Sequence, residues 1–297
     1  MLRRKMFRDI KNNLSQFITI FLMVFIGILA YTGIESYMMG MQKTADKFYK
    51  ENNLQDLNVI SAGFTTKDLD DIKKINHVKD AERKLSITAT TDNDKTLLAN
   101  FIESNNISQF YIVKGEKFDV NKKGVWLDDF YAEENKLKIG DEITIKYDGY
   151  SFKEKIVGFI NVPDHVYDVK DESELYPDHG EFGFAYLSAN ELASYIEQKA
   201  MDKLGVDKKT LEKMNFNYKD ELVFNYVMVD VDKKKNTSSV KDDIEKNVEN
   251  AKAIIKIEDS ESYKQYQGEI DEGKTYIGFL DYLSLSQCFQ LLQQWCV

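Results

Sequence analysis

Between Asn12 and Ile34 the sequence reads NNLSQFITIFLMVFIGILAYTGI, with no charged side chain. A bilayer core takes about 20 predominantly apolar residues in one helix, so this stretch narrows the possible folds more than any other. Phe17, Ile18, Ile20, Phe21 and Leu22 make up the first half of the expected membrane-spanning segment. Val24, Phe25, Ile26, Ile28 and Leu29 make up the second half. A cleaved signal peptide has about 7–15 apolar residues and a small-residue cleavage site. Here the run is longer, and Tyr31-Thr32-Gly33-Ile34 is a poor site. A buried core helix is the remaining alternative. The expectation is an uncleaved span.

Charge then sets an orientation. Arg3, Arg4, Lys5, Arg8 and Lys11 precede the span, against only Asp9. The positive-inside rule places this basic flank in the cytoplasm and the bulk of the chain outside. Leu2, Met6, Ile10 and Leu14 recur every four positions, so the flank reads either as a basic amphipathic helix lying on membrane lipid or as an ordinary positive-inside segment. The whole chain has a formal charge of −10, so the part after the flank is more acidic still. That excludes nucleic acid as a partner, because such binding is driven by Lys and Arg on phosphates.

The helical pattern does not stop at the membrane surface. Tyr37, Met41, Ala45 and Phe48 continue a spacing of three to four. A helix from residue 12 to 50 is about 58 Å long at 1.5 Å per residue, against a hydrocarbon core of ~30 Å. The excess is a stalk whose apolar stripe needs a partner helix. Tyr263, Tyr266, Ile270 and Ile277 have the spacing to supply it.

Beyond the stalk the pattern predicts strand 56–61, a helix over 67–75 capped by Thr66, a turn at 77–80 and strand 81–91. A similar unit returns far downstream. It has strand 224–232, helix 238–248 with Ser239 as a cap, and strand 251–258. Two such units predict one layered α+β lobe. Between them lies a strand-rich insert. Residues 97–104 and 110–113 read as strands, and 124–132 as a strand running into a helix. Residues 142–160 read as a hairpin turning at Asp148-Gly149, which suits positive φ. Helices are expected over 189–204 and 208–213.

Few residues suggest chemistry. The acid-rich loop 161–182 holds His165, His179 and both prolines. The two histidines are weak metal candidates; a solvated acidic loop or partner contact is the preferred reading. Asp128-Asp129 and Glu133-Glu134 read as solvated faces. No nucleophile motif, His-Glu-x-x-His or phosphate-binding loop occurs, so neither catalysis nor a cofactor is expected. The only cysteines are Cys288 and Cys296, which leaves the outer domain without a disulfide framework.

Several segments in order resemble the start of an FtsX-like, MacB-like ABC-transporter permease. They are RRKMFRDIKNN before the span, then DLNVIS and TTKDLDDIKKINHVKDAER, then VWLDDFYAEENKLKIGDEITIKYDGYSFKEKIVGFI. GFAYLS, NYVMVDVD and ESYKQYQGEIDEGKTY follow. The resemblance implies an outer domain between a first and a second span and a separate cytoplasmic ABC ATPase as partner. It also implies further permease segments or a second permease copy. It departs at IGFLDYLSLSQCFQLLQQWCV, where Asp281 and several glutamines interrupt the second span the family would have. A truncated permease is therefore expected.

The expected organisation is a cytoplasmic segment 1–11, a transmembrane helix 12–34 and a stalk 35–52. An α+β extracytoplasmic domain follows at 53–260, consisting of two strand-helix-strand units with a strand-rich insert. A returning stalk at 261–279 and an atypical tail at 280–297 complete it. The alternative is a single-span, membrane-anchored extracytoplasmic binding protein.

Overall fold

A computed structural model describes residues 2–165, 178–213, 222–260, 262–265 and 267–268. The chain begins with two helices, α1 (Leu2–Asn12) and α2 (Leu14–Glu51), separated at Asn13. The single helix expected from residue 12 is thus one turn-break later and ends at Glu51. Helix α2 has an 18-residue window with mean hydropathy 2.4, none of it buried. Phe21 and Ile26 are 67% and 62% exposed. Leaving such side chains in water forfeits about 1.5–3 kcal/mol each relative to burial, a cost that a lipid environment removes. Further along, Met38 is buried against Tyr31 and Met41.

The main folded unit spans Phe48–Gln265. Its first half-lobe contains β1 (Leu57–Phe64), α3 (Thr66–Lys73) and β2 (Val78–Thr91). The insert follows as β3 (Thr96–Ile102), β4 (Tyr111–Gly115), β5 (Val125–Asp128), α4 (Asp129–Glu134), β6 (Glu142–Tyr147), β7 (Tyr150–Asn161), β8 (Phe182–Ser188), α5 (Ala189–Leu204) and α6 (Lys208–Lys213). The second half-lobe is β9 (Phe224–Val231), α7 (Thr237–Asn247) and β10 (Ala253–Lys256).

The two half-lobes interleave. The strand order is β10-β1-β9-β2, with every neighbour antiparallel. Each strand-helix-strand unit therefore has a strand of the other inserted between its own two, a split βαβ arrangement. Alternate residues of these strands meet α3 and α7 in one core of Leu57, Val59, Ile72, Val227, Val229, Val240 and Ile244. Helix α3 is capped by Thr65, one residue before the expected Thr66. Asp68 Oδ2 accepts from Thr65 N at 2.8 Å, completing a capping box. Helix α7 begins at Thr237, so the expected cap Ser239 lies inside it. The expected turn at 77–80 is also corrected, since Val78 already pairs with Val231 in β2.

Strand β2 is 14 residues long and joins the two parts of a single ten-stranded sheet. Its first half pairs with β9, and its second half pairs with β3. From there the pairing runs β3-β8-β5-β7-β6 and returns to β2 at Thr90–Thr91. Six strands thus close a ring. Phe101, Leu127, Ile145, Phe152 and Leu187 are buried in its core. Helix α5 adds Leu192 and Ala193. The β6–β7 hairpin turns where expected, with Asp148 at φ 44 and Gly149 at φ 78, and Tyr147 faces Tyr150. Tyr131 of α4 lies on Gly183 of β8, where a Cβ would meet the Tyr131 Cβ at 2.5 Å and its ring at 2.7 Å.

Candidate functional site

The centre of β2 carries Glu82, Arg83 and Lys84 in succession, and all three are buried. Successive strand residues face opposite sides, so three consecutive charges cannot share one wet face. Buried charges are costly unless paired and hydrogen-bonded. Lys84 is also the switch residue, pairing with Tyr226 of β9 on one side and Ile102 of β3 on the other.

Each charge has its own partner. Glu82 accepts from Asn106 N at 3.1 Å, Asn106 Nδ2 at 2.7 Å and Ile107 N at 3.2 Å. Arg83 makes a two-pronged pair with Glu103, Nε to Oε2 at 2.6 Å and Nη2 to Oε1 at 3.0 Å. Its guanidinium lies 4.3 Å from the Phe224 ring centroid. Lys84 Nζ donates to Asp164 Oδ2 at 3.0 Å, both side chains being almost wholly buried. Gln55 Nε2 reaches the same oxygen at 3.4 Å, and His165 Nε2 stands 3.7 Å from it. Burial pushes the Asp164 carboxyl up, but Lys84 and His165 outweigh it and hold the carboxyl at about 2.

The same cluster ties down the end of α2. Asn52 and Asn53 carbonyls accept from Gln109 N and Ser108 N, both at 2.8 Å. Asn53 Nδ2 donates to Asn106 O at 2.9 Å, and Gln55 N donates to Ser108 Oγ at 3.1 Å. Two routes therefore lead from the last turn of α2 to the centre of β2. One passes through loop 105–109 to Glu82, and the other through Gln55 and Asp164 to Lys84.

The expected site residues fall in several places. Phe48 meets the Tyr111 ring edge-on at 6.4 Å, and Tyr263 lies 5.9 Å from Tyr49. Met41 and Ala45 are half-buried, whereas Tyr37 is exposed. Tyr266, Ile270, Ile277 and the tail 280–297 lie outside the described residues. Lys5, Arg8 and Lys11 are exposed on α1, which also contains Arg3 and Arg4.

The histidines have different neighbours. His165 stacks on Phe184 at 4.6 Å, and His179 stacks on Phe130 at 5.0 Å. Among the described residues no group of three or more His, Cys, Asp or Glu could hold a metal. The solvated reading of Asp128 is corrected. It is 5% exposed and caps α4 by accepting from Phe130 N at 3.2 Å. Burial pushes its carboxyl up to about 7. Glu133 and Glu134 are exposed as expected. The Glu82-Arg83-Lys84 run went unread in the sequence. Its signal was three adjacent charges beside the alternation of Leu85, Ile87 and Ala89.

Residues 17–247 match the model of the MacB-like periplasmic core domain family. The chain belongs to this family. Similar solved structures include the extracellular domain of the noncanonic ABC-type transporter YknZ from Gram-positive bacteria. It is 14% identical with a TM-score of 0.40, covering 67% of this chain and 97% of that one. The periplasmic region of MacB from Actinobacillus actinomycetemcomitans is 9% identical with a TM-score of 0.39, covering 74% and 95%. No curated protein sequence matches the chain. The MacB-like core domain is a mixed α+β domain of ABC-transporter permeases, and among the described residues one helix, near the N-terminus, is long and apolar enough to cross a membrane. The match begins at Phe17, inside that helix.

Proposed function

We propose that this chain acts as a permease subunit whose outer domain relays motion from a separate cytoplasmic ABC ATPase. The motion serves export or acts on an extracytoplasmic partner. In this reading the basic segment faces the cytoplasm, α2 spans the membrane and the MacB-like domain stands outside. The observation that carries it is the bonding of Asn52, Asn53 and Gln55 into the cluster around Glu82 and Lys84. A displacement of the last turn of α2 meets hydrogen-bonded and ion-paired groups there, so it is passed to β2, the strand common to the half-lobes and the ring.

The test is purification of the full chain from its native membrane. An ABC ATPase should co-purify, and its turnover should respond to the intact chain. Glu82→Ala should retain the ATPase but weaken that response about tenfold. If no ATPase accompanies the chain, the relay fails and the anchored binding-protein reading takes its place. Protease added outside intact spheroplasts should cut the folded domain; protection there would reverse the orientation.

A further inference from the structure

Helix α5 opens with Ser188-Ala189-Asn190-Glu191, the composition of a capping box. Ser188 does cap, accepting from Asn190 N at 3.1 Å. Glu191 does not turn back to complete the box. It is 7% exposed against the ring of strands, and its Oε2 accepts from Gly124 N at 3.4 Å. Its Oε1 is buried with no ordinary donor. Besides the Gly124 amide, Glu191 has a side-chain hydrogen-bond partner that is another carboxyl, Glu154 of β7. Two carboxylates cannot hydrogen-bond unless one keeps a proton. The orphan oxygen and the neighbouring carboxyl therefore explain one another.

The surrounding charges are insufficient to ionise both. Lys123, exposed in the segment before β5, is the cation acting on Glu191. Lys153, beside Glu154 on β7, is bound to Glu142 of β6 at 2.8 Å. Lys155 acts on that same Glu142. The N-terminus of α5 favours a negative charge, by the partial charge of its free N–H groups. Burial and the neighbouring carboxyl oppose it.

We infer that Glu191 keeps its proton and donates it to Glu154, and that this bond is a pH-sensitive clip holding the first turn of α5 to β7. Burial, then the hydrogen bond and charge of Glu154, push the Glu191 carboxyl up to about 8. The folded chain thus keeps a proton that the unfolded chain gives up near 4.5. The clip's contribution is complete below that pH and is lost as pH rises to about 8. Its release leaves two negative charges beside Leu192 and Ala193, which are buried in the core of the ring.

The test is thermal unfolding of the full chain in detergent from pH 5 to 9, for the natural protein and Glu191→Gln. The amide keeps a donor for Glu154 at every pH. The ratio of the two unfolding constants should change by up to about tenfold per pH unit, ending near pH 8. Carbon NMR should place the Glu191 carboxyl midpoint near 8, and Glu154→Gln should lower it by about one pH unit or more. A ratio independent of pH, or a midpoint near 4.5, overturns the clip. So does a calcium-dependent rise in melting temperature that Glu191→Gln abolishes, because the pair would then hold a cation instead of a proton.

Discussion

The centre of β2 and the wall of the strand ring both bury carboxylates, and they meet the cost in opposite ways. At β2 each acid has a cation or several N–H donors. Asp164 faces Lys84 and sits at about 2. In the ring, Asp128 has backbone donors but Asp129 as its charged neighbour, and Glu191 has a second carboxyl. Those groups rise to about 7 and about 8. Burial is common to both regions, so the difference lies in the partners. Asp164 at β2 stays charged across the neutral range, as a fixed joint should. The ring wall takes up and releases protons in that range.

The largest expected effect comes from breaking a pair at β2. Lys84→Met leaves Asp164 buried without its cation and should cost about 3–5 kcal/mol in urea unfolding. Adding Asp164→Leu should recover most of that loss, since the destabilisation comes from the unpaired charge and not from a lost contact. The single variant should also raise the Asp164 carboxyl, making it behave like Asp128. If the double variant is as unstable as the single, the joint owes its stability to packing and the comparison fails.

Acid and base should then separate the two regions. Asp164 has a folded value below the ordinary 3.8, so its contribution is present above about 4 and is lost as pH falls towards 2. Asp128 has a folded value above 3.8, so its contribution is complete below that pH and is lost as pH rises to about 7. Asp128→Asn keeps the cap on α4 and should remove a slope of up to about 1.4 kcal/mol per pH unit. An unchanged pH profile in that variant would mean that Asp128 is ionised when folded. The smallest effect expected is at Phe48. Phe48→Ala removes the edge-on contact with Tyr111 and should cost about 1 kcal/mol, with no change in the pH profile.

Local rules made part of this readable in advance. Asp148-Gly149 specified its hairpin because a two-residue turn needs positive φ there. The apolar alternation of 81–91 and 224–232 located β2 and β9, and the two strand-helix-strand units do join in one sheet. Ring closure was not legible. It depends on β3 pairing in parallel with β8, about eighty residues later, and on Thr90–Thr91 meeting Ile145–Lys146. Neither strand carries a mark of its partner. The charged cluster was hidden for the same reason. Glu82, Arg83 and Lys84 find their partners at 106, 103 and 164, so only the fold shows why they can be buried. Asp128 was misread because an acidic pair ordinarily faces water, whereas this one straddles a fully buried strand end and a helix cap.

The claim that the end of α2 is wired into β2 through loop 105–109 is tested most directly by amide hydrogen exchange on the full chain carrying Glu82→Ala. The account predicts that the amides of Asn106, Ile107, Ser108 and Gln109 lose at least tenfold in protection, while the β6–β7 hairpin is unchanged. Undiminished protection of those four amides would contradict it.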